Sequence, residues 1–203
     1  MTDSARPVVE FWFDPICPWT WITSRWVVEV SAARGFEVQW HPFSLAILNE
    51  GNDPGDHAEA QRQGHRFGLV LTAVRAAHGV PATGALYTAL GERLHPEVRQ
   101  DYDAVLAEAL EQAQLPVALA ALEPTAELEA ELRASTRRGI ERVGPGVGIP
   151  IISIDGTAFF GPVISPAPRG AEALQLWDGV LAAASIPGFF ELKRGREVGP
   201  VFD

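Results

Sequence analysis

Cys17 is the only cysteine in this chain of 203 residues. It stands in Asp14-Pro15-Ile16-Cys17-Pro18-Trp19-Thr20, after an apolar run and at the start of a helical repeat. The first turn of a helix offers unpaired N–H groups and the positive end of the macrodipole. Such a position can draw a cysteine from its ordinary pKa of ~8.5 down to roughly 3.5–7.5, making it a nucleophilic thiolate at neutral pH. Pro18 suits that turn, because its fixed φ is helical and its missing N–H would have no partner anyway. The plain alternative is a cysteine that only fills space, since free Cys is often buried. Thr20 lies one turn further on. Its hydroxyl can donate to a thiolate, but it cannot attack a disulfide. Exchange at Cys17 therefore has to be monothiol, with an external thiol resolving any mixed disulfide.

Trp19 and Trp21 flank the cysteine, and five of the six tryptophans precede His41. Exposed aromatics there would receive a flat substrate, whereas Trp12, Trp26 and Trp40 read as core. The five histidines (His41, His57, His65, His78, His95) form no metal-ligand spacing, so no metal site is expected. His95 could reach the cleft from the helical block, but a solvated residue at a helix end is the reading preferred. Gly144-Pro145-Gly146-Val147-Gly148 precedes a strand instead of joining strand to helix, and so fails as a dinucleotide loop.

Around these residues the apolar run Val8 to Phe13 predicts a strand, stopped by Asp14-Pro15. Trp19, Ile22, Trp26 and Val30 then recur at helical spacing up to Gly35. Phe36 to Trp40 alternates as a second strand, completing a βαβ unit with a parallel pair. Glu50 to Asp56 is a loop. Four helices are predicted next: His57 to about His78, about Gly84 to Leu94 after a break at Gly79-Val80-Pro81, one marked by Tyr102, Val105, Leu106, Ala109, Leu110 and Ala113 and broken by Pro116, and one from near Thr125 to about Arg142. Arg137, Arg138 and Arg142 complement the dipole at the last helix end. Ile151–Ile154 and Thr157–Phe160, joined by Asp155-Gly156, predict a hairpin. A final helix runs from about Arg169 to Ala184. The order is βαβ, a helical block, then ββα.

The length suits one domain, or one domain with an insert. The composition, 47% hydrophobic and 21% charged, is that of a water-soluble globular chain. A net charge of −10 argues against a nucleic-acid partner, whose phosphates call for Lys and Arg. One cysteine excludes an intrachain disulfide. Met1 to Pro7 carries no apolar signal core and no apolar run reaches ~18 residues, so neither secretion nor a membrane span is expected. A cytoplasmic location follows as the default, where a lone thiol stays reduced.

Cys17-Pro18-Trp19-Thr20 after a first strand resembles the C-x-x-C active site of thioredoxin-fold oxidoreductases, with Thr20 in place of the second cysteine. The longer run from Phe11 to Trp26 resembles the DsbA-like subfamily of mycothiol-dependent nitroreductases, as do Leu176-Trp177-Asp178 and Phe190 to Arg194. The resemblance implies an α/β, thioredoxin-like βαβ–ββα fold with an inserted helical subdomain, divided at 1–56, 57–125 and 126–203. It implies a cis peptide at Ile149-Pro150 facing Cys17, with Ile149 offering its backbone to a thiol substrate, and a polar binding residue at Asn49. Cys17 and Thr20 would be catalytic; Pro18, Trp19, Asn49, Ile149 and Pro150 would bind thiol or substrate. The implied co-substrate is mycothiol, with glutathione as alternative, and the second substrate a small electrophile or nitroaromatic. A homodimer is left open. Two rivals stand beside this reading: a kappa-class glutathione transferase or 2-hydroxychromene-2-carboxylate isomerase type of enzyme that activates a bound thiol, and a non-catalytic thiol- or peptide-binding module.

Overall fold

A computed structural model describes residues 6–202; the reading of Met1–Ala5 as free of a signal core lies outside the described residues. Strand β1 (Val9–Phe13), helix α1 (Pro18–Arg34) and strand β2 (Val38–Pro42) form the opening unit. Helix α2 (Leu45–Leu48), the long helix α3 (Ala58–Leu94), α4 (Tyr102–Gln112) and α5 (Ala126–Val143) follow. The hairpin β3 (Ile151–Ile154) and β4 (Thr157–Phe160) and helix α6 (Gly170–Ala184) close the fold. The sheet order is β2-β1-β3-β4, with β1 and β2 parallel and the other pairs antiparallel. This is the thioredoxin arrangement, with helices α3 and α4 between its halves.

Alternation along β1 sorts its side chains onto two faces. Val9, Phe11 and Phe13 join the main core with Val38, Trp40, Ile152 and Ile154. Trp12 joins a smaller cluster on the other face with Cys17, Phe43, Ile149 and Ile151. Helices α1 and α6 close the main core through Trp26, whose Nε1 donates to the Ala173 carbonyl at 2.9 Å, and through Trp177, stacked on Phe36 with ring centroids 4.7 Å apart. Burying each large apolar side chain of this kind contributes roughly 1.5–3 kcal/mol.

Two elements depart from the expected bounds. β2 lies two residues later than Phe36–Trp40, because its register with β1 runs from Val9–Val38 to Phe13–Pro42. An edge strand tolerates Pro42, whose missing N–H would have faced no neighbour. The helices expected on either side of Gly79-Val80-Pro81 run on as the two limbs of α3, broken only at Gly79 (φ 81°, ψ −177°). Pro81 sits in the first turn of the second limb, where it displaces no helical hydrogen bond.

Candidate active site

Cys17 caps the N-terminus of α1, in extended conformation and with Pro18 at the first helical position. Its N–H donates to the Asp14 carbonyl at 3.0 Å, and its own carbonyl accepts the first helical bond from the Trp21 N–H at 3.0 Å. Strand end, turn and helix start thus hold the thiol at the carboxyl end of β1. The side chain is only 7% exposed. It packs with Trp12, Phe43, Ile149 and Ile151, and Trp19, Leu45 and Leu48 complete the cluster half-buried. Cys17, Trp19 and Ile149 are therefore brought together. Pro150 is buried beside them and the Ile149–Pro150 peptide is cis.

Thr20 is wholly buried one turn above the thiol; its hydroxyl makes no well-aligned hydrogen bond but lies close enough to pull the Cys17 pKa down. Asn49 caps the C-terminus of α2, half-buried, with its N–H on the Leu45 carbonyl at 3.0 Å. Its neighbours Leu45 and Leu48 touch the Cys17 cluster, whereas its own side chain makes no hydrogen bond there. Trp21 is not the exposed platform considered from the sequence. It is 4% exposed, edge-on to Tyr87 and covered by the Arg25 guanidinium 4.0 Å from its ring.

The expected depression of the thiol pKa is reversed. Burial pushes the Cys17 thiol up and outweighs the Thr20 hydroxyl and the N–H groups of Thr20 and Trp19, which favour the thiolate; the Asp14 carboxylate pushes it further up. Helix-end dipoles act within a turn, but removing a thiolate from water costs more when almost no solvent reaches it. At neutral pH the buried Cys17 is therefore a thiol.

Three features of the site were not legible locally. Asp14 is completely buried, and its carboxylate accepts from the Ile16 N–H at 3.0 Å and the Leu45 N–H at 2.8 Å. Burial raises it to about 6 against the pull of those donors and of His65. Before a proline it read only as a strand stop. Gly64 of α3 leaves the space it needs, since a Cβ there would stand 2.6 Å from Asp14 Oδ1. His95, expected in solvent, is 5% exposed and held by burial near pKa 4. Its Nε2 sits 2.8 Å from the Pro15 carbonyl, which can only accept, so Nε2 carries the proton. The third feature is the segment after α6, which has no regular structure yet returns over the motif. Arg196 covers Trp19 at 4.8 Å, and Phe202 lies 5.5 Å from His95. Ser165 Oγ donates to the Gly199 carbonyl and accepts from the Val201 N–H, both at 2.9 Å. Without periodicity, such a strap leaves no mark on the sequence.

Among the described residues no helix is long and apolar enough to cross a membrane, and no group of three or more His, Cys, Asp or Glu side chains converges as a metal site.

Comparison with known proteins follows the same lines. The model of the family "Rv2466c-like: Mycothiol-dependent nitroreductase Rv2466c" matches residues 16–194. The uncharacterized protein Rv2286c of Mycobacterium tuberculosis is 30% identical over 202 residues, covering 95% of this chain and 84% of the relative. Among solved structures, the probable DsbA oxidoreductase SCO1869 of Streptomyces coelicolor aligns with a TM-score of 0.58 at 19% identity, covering 95% of each chain. A 2-hydroxychromene-2-carboxylate isomerase aligns with a TM-score of 0.59 at 13% identity, covering 86% of this chain and 94% of its own; these two likenesses carry the fold alone. With the family match across most of its length, this chain is a DsbA-like thiol oxidoreductase and belongs to the Rv2466c-like family.

Proposed function

We propose that this protein is a mycothiol-dependent reductase of small electrophiles, nitroaromatics among them, working through Cys17 as a single redox thiol. The observation that carries the reading is the placement of the only cysteine at the N-terminus of α1, in one cluster with Ile149 and below Thr20. In the first half-reaction Cys17–SH and one mycothiol are oxidised to a mixed disulfide, while a nitro group takes two electrons and two protons and leaves as nitroso and water. In the second, another mycothiol attacks the mixed disulfide, restores Cys17–SH and departs as oxidised mycothiol. The sum oxidises two thiols per nitro group reduced to nitroso. Thr20 stabilises the thiolate as it forms. Pro18 and Trp19 line the approach, Asn49 offers a polar contact from the α2 loop, and Ile149-Pro150 presents backbone to the incoming thiol. Residues 1–56 and 126–203 form the thioredoxin-like part in this reading, and 57–125 the inserted subdomain. Glutathione is the alternative thiol, and the reaction needs neither metal nor nucleic acid and takes place in the cytoplasm.

The buried, protonated state of Cys17 favours a second reading, in which the site activates a bound thiol and the cysteine does not cycle. Mass spectrometry after exposure to oxidised mycothiol and oxidised glutathione decides between them. A single adduct on Cys17, absent from C17S and released by excess thiol, is the expected result. Thiol binding and turnover that survive in C17S would overturn the redox role and leave the thiol-activating one.

A further inference from the structure

Away from Cys17, the molecule holds a concavity that the redox reading does not use. A cavity of about 220 Å³ opens between α3, α5 and the end of β2, lined by Pro42, Thr72, Arg75, Glu131, Ser135 and Arg138. That is several times the ~30 Å³ share of one liquid water.

Its walls are cationic in a chain whose net charge is −10. Arg75 has no carboxylate partner among the described residues; it donates one bond, to the Trp40 carbonyl. Burial, and after it the charge of Arg138, make its guanidinium less basic than usual. Arg138 holds Glu131 at 3.0 Å in a pair whose side chains are 48% and 58% exposed, so the bond is weak and exchangeable. Arg142 stands one turn further along α5, 3.0 Å from Glu10. All three charges reach His41, whose ring is held neutral, near pKa 3, by burial first and then by Arg75, Arg138 and Arg142. Neither of its nitrogens makes a hydrogen bond, although Nε2 is 3.2 Å from Glu10 Oε1; that approach is a contact without aligned geometry.

The second observation is Ser135. It lines the cavity, is 3% exposed, and its hydroxyl has no hydrogen-bond partner. Buried polar atoms are normally satisfied, and an unsatisfied one costs the full desolvation of the group. A hydroxyl without a partner and a guanidinium without an ion-pair partner line the same cavity, and an oxygen-rich anion would satisfy both. Glu131 opposes such a ligand while it points inward, and its exposed pairing with Arg138 lets it give way.

We propose that this cavity is a binding site for an oxyanion group, a phosphate or a carboxylate, held by Arg75 and Arg138 with the Ser135 hydroxyl as third donor. Guanidinium groups bind both anions through paired N–H donors. The site is separate from the thiol chemistry, so its test stands whatever Cys17 does.

The probe is inorganic phosphate, titrated at constant ionic strength with chloride as balance, with thermal unfolding of the full chain as readout. Sodium acetate is a parallel arm that distinguishes a carboxylate from a phosphate ligand. A saturable rise in Tm with either anion, equal in wild type and C17S, is expected. Binding should weaken about tenfold in R138Q and measurably in S135A, as for lost hydrogen bonds to a charged ligand. R34Q, far away on α1, should leave it unchanged. R138Q removes only a half-exposed side chain and should fold as wild type. A Tm that does not saturate with either anion, or saturation identical in wild type, R138Q and S135A, would overturn the proposal.

Discussion

Asp14 and Cys17 are two buried ionisable groups; burial raises both, and the Asp14 charge makes a thiolate at Cys17 more costly still. The Asp14 carboxyl titrates near 6 in the folded protein against 3.8 for an ordinary Asp, so the folded state binds more protons between those values. Its contribution to stability is present below ~4 and is lost as pH rises through about 6, a change on the order of 3 kcal/mol. His41 and His95, buried neutral, act in the opposite sense and lose stability as pH falls below their usual range. The comparison that isolates Asp14 is therefore wild type against D14N, by urea unfolding at pH 4 and pH 7. Wild type should gain on the order of 3 kcal/mol relative to D14N on going to pH 4; a difference independent of pH would show that Asp14 does not titrate in this range. The alkylation rate of Cys17 by iodoacetamide should keep rising above pH 9 in wild type, and its midpoint should fall in D14N because one neighbouring negative charge is gone.

Among the elements, α3 reaches the site by giving up side chains. A Cβ at Gly91 would stand 2.1 Å from the Trp21 ring, which is itself buried edge-on to Tyr87. G91A should cost about 1–3 kcal/mol, as overpacking of a filled core does, and should lower the Tm accordingly. The strap after α6 is the other element that decides access. It touches Trp19 through Arg196 and His95 through Phe202, and every residue from Gly188 to Val198 except Phe189 is exposed. Few buried contacts hold it, which is the mark of a segment that opens at low free-energy cost. Truncation after Ala184 should speed Cys17 alkylation several-fold while changing the midpoint of urea unfolding little. An unchanged alkylation rate would mean that the core packing on Cys17, and not the strap, closes the site.

Over the whole molecule one continuous core runs from the sheet into the intervening helices: Val9 and Phe11 share it with Phe67, Leu86, Val105, Leu106 and Trp177. Such continuity predicts a single cooperative transition, with tryptophan fluorescence and far-ultraviolet circular dichroism unfolding together. Leu106, on α4 and fully buried, tests it from a distance. L106A should cost about 2–5 kcal/mol and shift both signals equally. Two separate transitions would mean that the helical segment is stabilised independently of the sheet.

The chain's own pattern was enough for the element order, the parallel βαβ start, the Asp155-Gly156 hairpin and Cys17 at a helix start, because each rests on local periodicity or turn chemistry. The two-residue displacement of β2 was not local; cross-strand register with β1 decided it. Which groups surround the thiol was decided only by packing. Asp14, His95 and Arg196 lie 3, 78 and 179 positions from Cys17, and nothing in their neighbours marks them as converging. The sign of the thiol's pKa shift likewise belongs to the tertiary structure. A helix terminus is written in a few adjacent residues, whereas the desolvation that overrides it comes from Trp12 and Ile151 on β1 and β3, and from Phe43 and Ile149 in the segments after β2 and before β3.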